Sequence, residues 1–401
     1  MARILVAGGS LGGLFAANIL LRAGHEVTVL EKATESLDGR GAGIVTHKAL
    51  VSSLTRAGAK VDASLGVAIE GRVSLARDGK PDVTMQRPQV LTSWSRLYHL
   101  LHEVLPTQCH VSGACIERVS QDERQVTAHC ADGRSFSADL LVASDGIRSA
   151  VRAQYAPQAQ PQYAGYVAWR GVCDEWLLSD FTLNSVFERF GFGLPPGEQL
   201  IGYPVAGAGN TSARGRRRYN FVWYRPAAEP DGLNALLTDA DGKFYSLAIP
   251  PNKVDWRQVA AMRQAARNLL APQFAEILEK TAQPFLQPIY DVWSEQLAFG
   301  RVLLMGDAAF VARPHPGMGV TKAGLDACAI ADAIAAHGAT PAAALAYEAL
   351  RLPYGQRIVR HAQRLGAYMQ SQTGQPGAVA RSDENVVRET AVDPTEEDAM
   401  A

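Results

Sequence analysis

Arg3-Ile4-Leu5-Val6-Ala7-Gly8-Gly9-Ser10-Leu11-Gly12-Gly13 is the stretch that decides the fold. Arg3 to Ala7 has the character of a short buried strand, and a glycine cluster follows it at once. The apolar spacing from Leu14 to Arg22 is helical and stops at Gly24, after which Glu26 to Leu30 reads as a second strand. A glycine turn between strand and helix lets backbone N–H groups and the positive helix end approach a pyrophosphate. Glu31, 23 residues after Gly8, stands where a carboxylate can accept hydrogen bonds from an adenosine ribose. Gly8, Ser10, Leu11, Gly13, Glu31 and Lys32 are therefore candidate contacts to an ADP-containing dinucleotide. The turn departs from strict G-x-G-x-x-G at Ser10, whose side chain narrows the gap to the phosphates. By itself the motif does not separate NAD from FAD, although an acidic ribose contact disfavours a 2′-phosphate there.

Working outward, Ser95 to Leu105 has helical spacing and leads into three short strand patterns, Ala114 to Ser120, Gln125 to Cys130 and Ser135 to Ser137, separated by turn signals. Asp139 to Ala143 is a further strand. Between Tyr163 and Tyr245 the pattern changes to aromatic-rich strands, which predicts a separate, mostly antiparallel sheet. Helical periodicity returns in Trp256 to Leu270 and Phe274 to Thr281, then after the strand Val302 to Met305 in Ala323 to His337, Pro341 to Leu350 and Tyr354 to Gln370. Beyond Gln372 the chain turns polar and acidic, which predicts a tail that buries little.

With 39 basic against 40 acidic residues the chain has no broad basic field, so nucleic acid is not an expected partner. The run Arg214, Arg216, Arg217, Arg218 reads as a solvated loop. Five cysteines without C-x-x-C spacing suggest neither a disulfide framework nor a metal site, and a cytoplasmic, reducing setting is expected. No signal peptide and no membrane span are expected, since eighteen uninterrupted apolar residues occur nowhere.

Two more motifs carry chemistry. Asp139 to Ala143 runs into Ser144-Asp145-Gly146-Ile147-Arg148, an acidic turn opening a basic helix, where helix capping is the plainer reading. Val302 to Met305 delivers Gly306-Asp307 to a turn, and Pro314, Gly317, Met318 and Gly319 then open a helix whose N-terminus can stabilise an anion. In this order the three motifs resemble the flavoprotein monooxygenases related to p-hydroxybenzoate hydroxylase, over about residues 3 to 370. The resemblance implies FAD as cofactor and NADH or NADPH as co-substrate. It implies cofactor roles for Gly8, Gly13, Glu31, Arg40, Asp145, Gly306, Asp307, Pro314, Gly317 and Gly319. Within the family, Tyr163 to Gly171, Gly41 to Val45 and Arg313-Pro314-His315 look most like the hydroxypyridine-hydroxylating branch. Departures are Ala143, Ser144, Phe310, Thr321 and Trp94, the last where an Arg often contacts FAD.

The implied fold class is α/β: a Rossmann-like FAD-binding domain, a second, mostly antiparallel β-sheet substrate domain, and C-terminal helices. Residues 1–70, 95–160 and 286–371 are assigned to the first with its helices, 71–94 and 161–285 to the second, and 372–401 to the polar tail. The implied chemistry is ring hydroxylation through a flavin C4a-hydroperoxide, with a small aromatic substrate and O2 as partners and a homodimer as candidate assembly. A hydroxylated ring is most nucleophilic as its anion, so a base near its OH is useful. His315 and Tyr203 are the candidates, with Trp169 and Pro316 as further substrate contacts, although strand alternation sends one of Trp169 and Arg170 toward the pocket and the other away, Trp169 then being the packing residue. The rival readings are an FAD-dependent reductase, dehydrogenase or halogenase, and a non-enzymatic flavin-holding interaction protein.

Overall fold

Arg3–Ala7 is a central strand of a six-stranded sheet ordered Ala298–Phe299, Val302–Leu304, Leu140–Ala143, Arg3–Ala7, Glu26–Glu31, His110–Ser112. The computed structural model describes residues 1–35, 37, 43–369 and 382–394. All pairings in this sheet are parallel except that of the edge pair Ala298–Phe299 and Val302–Leu304. Leu140, Leu141, Val142 and Ala143 are wholly buried, as a parallel sheet covered on both faces requires. Helices Leu11–Arg22, Trp94–Glu103 and Gly319–His337 pack around it. The expected meander is present as an antiparallel sheet of Ile116–Gln121, Val126–Cys130 and Ser135–Ala138.

The second sheet has eight strands ordered Phe285–Asp291, Gln162–Asp174, Arg218–Pro226, Gln199–Val205, Phe190–Gly193, Val67–Leu75, Pro81–Ser93, Gly43–Val45. It is antiparallel apart from the pairing of Phe190–Gly193 with Val67–Leu75. Its strands begin before residue 71 and run past 285, so the sheet is wider than segments 71–94 and 161–285. Alternation sorts its side chains. Val167, Trp169, Phe221 and Trp223 pack with helices Trp256–Leu269 and Pro272–Lys280, whereas Tyr166, Ala168, Tyr203, Val222 and Tyr224 form the cluster on the other face.

Three expectations change. Pro341 to Gln370 was expected as two helices but is one, Pro341–Gly366, running through Pro353. Buried contacts on both sides of the proline hold it: Tyr347 bonds the Leu304 carbonyl, Arg351 pairs with Asp326, and Ile358 and Val359 are fully buried. Together these outweigh the roughly 3 kcal/mol that an interior proline costs. The arginine run is not simply solvated, since Arg217 is buried and paired at 2.6 Å with both Glu175 and Glu188. Nor does all of the polar tail bury little. Asp383–Glu389 is a helix, and Val386, Val387, Thr390, Ala391 and Asp393 are buried against the second sheet.

Candidate active site

Ala7, Ala143 and Leu304 are in register on adjacent parallel strands, so the three turns that follow them emerge side by side at one carboxyl edge. The strand order also reverses there, the chain having gone from Arg3–Ala7 to one side first and to the other later. In open α/β sheets ligands bind in such a crevice. Turns that lie 136 and 161 residues apart along the chain, after Ala7, Ala143 and Leu304, are thus brought to one place by sheet order alone.

Gly8 adopts φ +95°, and a Cβ on it would stand 2.5 Å from the Ser144 carbonyl oxygen. Gly13 is tighter still, its hypothetical Cβ lying 1.8 Å from the Gly8 oxygen. These two glycines let helix Leu11–Arg22 start against the strand ends. Ser10 is its N-cap but makes no side-chain cap, leaving the first-turn N–H groups facing the crevice. A cavity of about 280 Å³ opens in front of them, lined by Gly8, Ser10, Glu31, Lys32, Trp94, Asp145 and Arg148 among others. Glu31 accepts from the N–H groups of Gly9 at 2.6 Å and Ala33 at 2.8 Å. A carboxylate has about four acceptor directions, so two remain for a diol.

Asp145 Oδ1 is buried without a hydrogen-bond partner among the described residues, and burial pushes its carboxyl above the usual range. Arg152 ties this turn to the third one by donating to the carbonyls of Gly146, Ile147, Asp307 and Ala308. Gly306 is held from behind: its N–H donates to Asp326 at 3.0 Å, its carbonyl accepts from Lys322 at 2.7 Å, and Arg351 grips Asp326 at 2.7 Å. Asp307 itself is open to solvent yet surrounded by protein mass, the situation of a group on the floor of a cleft. Crowding, with Asp326, pushes its carboxyl upward, while Lys322 and Arg152 oppose.

Beyond the third turn, His315 is buried in the loop between Arg313 and Gly317. Its Nε2 lies 2.8 Å from the Tyr166 hydroxyl, and its ring centre is 4.6 Å from that of Tyr224. Arg313 pairs with Asp291 and lies over the Tyr166 ring, anchoring the loop to the second sheet. Gly319 begins helix Gly319–His337, and nothing lies within 4 Å of the position a Cβ would take there.

Two family models match the chain, an FAD binding domain over residues 1–190 and an FAD binding domain-like model over residues 163–291. The 2,6-dihydroxypyridine 3-monooxygenase of Paenarthrobacter nicotinovorans is 30% identical, covering 92% of this chain and 91% of that protein. This chain belongs to the FAD-dependent aromatic hydroxylases. The aurachin C monooxygenase/isomerase of Stigmatella aurantiaca is also 30% identical, over 90% of this chain and 88% of that protein. The solved 2,6-dihydroxypyridine-3-hydroxylase from Arthrobacter nicotinovorans superposes with a TM-score of 0.87 at 29% identity, covering 96% of both chains.

For a hydroxylase of this family the residues present fit FAD. Glu31, with its spare acceptor directions, and Asp145, with an unpartnered oxygen, line the cavity beside the glycine turn, and the start of helix Gly319–His337 is open. Lys32 and Arg148 on its rim supply positive charge beside Trp94, which stacks on Tyr98 at 4.9 Å and lines the cavity. Leu11 instead turns into the core, and Arg40 lies outside the described residues. Met318 and Pro316 are buried within the loop, and Pro314 and Gly317 are half-buried.

The second sheet corrects one substrate contact and adds others. Trp169 packs on the helix-covered face among Phe221 and Trp223, away from His315, so it is a core residue. Alternation gives the neighbouring Arg170 to the His315 face instead, where its positive charge reaches Tyr203 and Tyr224. Tyr203 is on that face, against Gly43, Asn220 and Phe190. Alternation already sets Arg170 opposite Trp169; Tyr166, Tyr224 and Asn220 were missed by motif reading, although the same period of two along Tyr166-Val167-Ala168-Trp169-Arg170 puts Tyr166 on the face of Arg170.

Proposed function

We propose that the enzyme hydroxylates a small, planar, hydroxylated aromatic ring, a hydroxypyridine in preference to a benzoate, using NADH or NADPH and O2. The observation that carries this reading is the wall made by Tyr166, Tyr203, Tyr224 and Arg170 on one face of the second sheet, opposite the His315 loop. Aromatic walls suit a flat ring. The similarity to a 2,6-dihydroxypyridine enzyme over nearly the whole chain supports the pyridine preference. FAD, when bound, supplies hydride acceptance, reaction with O2 and oxygen transfer to the ring.

Gly8, Ser10, Gly13, Glu31 and Asp145 would hold the adenosine and pyrophosphate end, and Asp307 with the Gly317–Gly319 turn the ribityl and ring end. The Arg170 cation favours the ring substrate as its anion, the form with the most electron-rich carbons. Burial raises the phenols of Tyr166 and Tyr224, and Tyr203 is pushed up to about 12, so none of the three is a base near neutral pH. That leaves His315 to take the ring-hydroxyl proton, passed through its hydrogen bond with Tyr166. A cytoplasmic setting accords with five free cysteines, and among the described residues no helix is long and apolar enough to cross a membrane.

The test is a screen of hydroxypyridines and phenols for stimulated NADH and NADPH oxidation with product analysis. Hydroxylated pyridine as main product is expected. Stimulated oxidation without hydroxylated product would make the protein a reductase, and no stimulation by any ring compound would remove the substrate class.

A further inference from the structure

Residues 382–393 take no part in the chemistry proposed so far, yet they are tied to its central loop. Arg72, on strand Val67–Leu75, is fully buried, and a guanidinium out of water needs its N–H groups matched. The tail supplies acceptors: Arg72 Nη1 donates at 2.6 Å to the carbonyls of both Val387 and Thr390, at the end of helix Asp383–Glu389. These are carbonyls that a helix leaves unsatisfied at its C-terminus, where a cation is also favoured. Gln89 receives from Arg72 Nη2 at 2.5 Å and donates to the Ala391 carbonyl at 3.0 Å, while Gln199 donates to the Thr390 hydroxyl at 3.2 Å.

The next backbone group faces the other way. The Ala391 N–H donates at 2.7 Å to the carbonyl of His315. A cavity of about 570 Å³ adjoins this contact, bounded by His47, Ile69 and Gln89 on one side and Ala391 to Asp393 on the other. His47 also reaches within 3.6 Å of where a Gly317 Cβ would stand, so the tail and His47 meet the same loop. The second sheet, the tail and the His315 loop form one continuous hydrogen-bonded chain from Arg72.

We propose that Arg72 and segment 382–393 are positioning elements of the oxygen-transfer site, holding the His315 loop in place from behind. The inference rests on the ring-hydroxylation reading for its activity readout but not for its structural one. In the coupled reaction NAD(P)H, H⁺, O2 and a ring C–H give NAD(P)⁺, ring C–OH and H2O. In the leak NAD(P)H, H⁺ and O2 give NAD(P)⁺ and H2O2. A loosened loop shifts turnover from the first to the second, with FAD still bound at the distant glycine turn.

The experiment compares FAD-loaded full-length protein with a chain ending at Arg381 and with full-length Arg72→Met. Amide hydrogen exchange over residues 311–318 is measured without substrate, alongside the ratio of hydroxylated product to NADH consumed. Faster exchange in that loop and a product ratio lower by about 2- to 10-fold are expected, the size set by losing one neutral hydrogen bond. A synthetic peptide of residues 382–394 added to the shortened chain should restore both. Where the shortened chain fails to fold, Arg72→Met carries the comparison. Unchanged exchange in 311–318, even with a lower melting temperature, overturns the proposal, because the tail then only adds stability. Should the full-length protein hydroxylate nothing, the substrate reading falls while the exchange data still decide this one.

Discussion

The two ends of the cofactor crevice are built differently. The end proposed for the adenosine is made by backbone: three turns at the ends of adjacent parallel strands, two glycines where an added Cβ would lie 2.5 Å or less from neighbouring backbone oxygens, and one carboxylate that accepts from N–H groups. The ring end is made by side chains from strands Gln162–Asp174, Gln199–Val205 and Arg218–Pro226, a loop between two prolines, and a tail. A site made of backbone tolerates little change and fixes where the cofactor lies. A site made of side chains can be altered residue by residue, and on the proposed reading it decides what happens to the oxygen. Substitutions at the first end should therefore change FAD affinity, and those at the second the fate of the reducing equivalents.

The largest effect expected is at the ring end. His315→Gln keeps a hydrogen-bonding side chain beside Tyr166 but takes no proton, so hydroxylation should fall by about 10²- to 10⁴-fold, the usual share of a general base. Flavin reduction and FAD affinity should change far less, and peroxide per NADH should rise. Stopped-flow reduction together with product analysis reads both. An unchanged product ratio would remove His315 from the mechanism and blur the division between the ends.

His47 tests where that division runs, for it joins Thr321 at 2.9 Å and the tail cavity. Burial, with Arg72 and Arg87 adding and Asp393 opposing, pushes its imidazole down to about 4 from the ordinary 6.5. The unfolded chain thus binds a proton that the folded chain refuses between these values. Stability should be complete above pH 6.5 and fall as pH drops towards 4, by about 3 kcal/mol in all. Chemical denaturation at several pH values checks this, and His47→Gln should flatten that window. An equal slope in the variant would assign the acid sensitivity to other groups.

At the cofactor end, Asp307→Ala removes a charged acceptor from the floor of the cleft and should weaken FAD binding by roughly 1.5–3 kcal/mol. The product ratio of the reloaded enzyme should stay near that of the parent. Titration of the apoprotein with FAD measures the first and turnover at saturating FAD the second. Unchanged affinity would leave Asp307 a turn residue only.

This difference also governs what could be read in the sequence. Backbone sites leave short, contiguous signatures, so Gly8 to Gly13 with Glu31, Asp145-Gly146 and Gly306-Asp307 were legible, and with them the parallel sheet. The ring end leaves none. Which face of Gln162–Asp174 looks to the cleft depends on packing of helices Trp256–Leu269 and Pro272–Lys280, so Trp169 and Arg170 could not be told apart locally. The tail was misread for a related reason. Its composition is polar, but its burial rests on Arg72, some 315 residues away in sequence, meeting its carbonyls. Pro353 misled in the opposite sense, because local propensity stops a helix that tertiary contacts carry on.

Tyr203 is the smallest and most discriminating case, since it stands between the two ends. Its ring is 5.0 Å from Phe190, and its hydroxyl lies against Gly43, whose N–H is already taken by Asn220 at 2.9 Å. Burial pushes the phenol up to about 12, so at neutral pH it donates and does not accept a proton. If that hydroxyl serves the ring substrate, Tyr203→Phe should raise KM by the worth of one neutral hydrogen bond, about 0.5–1.5 kcal/mol, with the product ratio little changed. If it instead holds strand Gly43–Val45, FAD affinity should fall while KM holds. The ring packing is kept in either case, so melting temperature is a control that should barely move. KM and FAD titrations on the one variant therefore assign Tyr203 to one end. A variant unchanged in both would make Tyr203 a packed aromatic and leave Tyr166, Tyr224 and Arg170 to form the substrate wall.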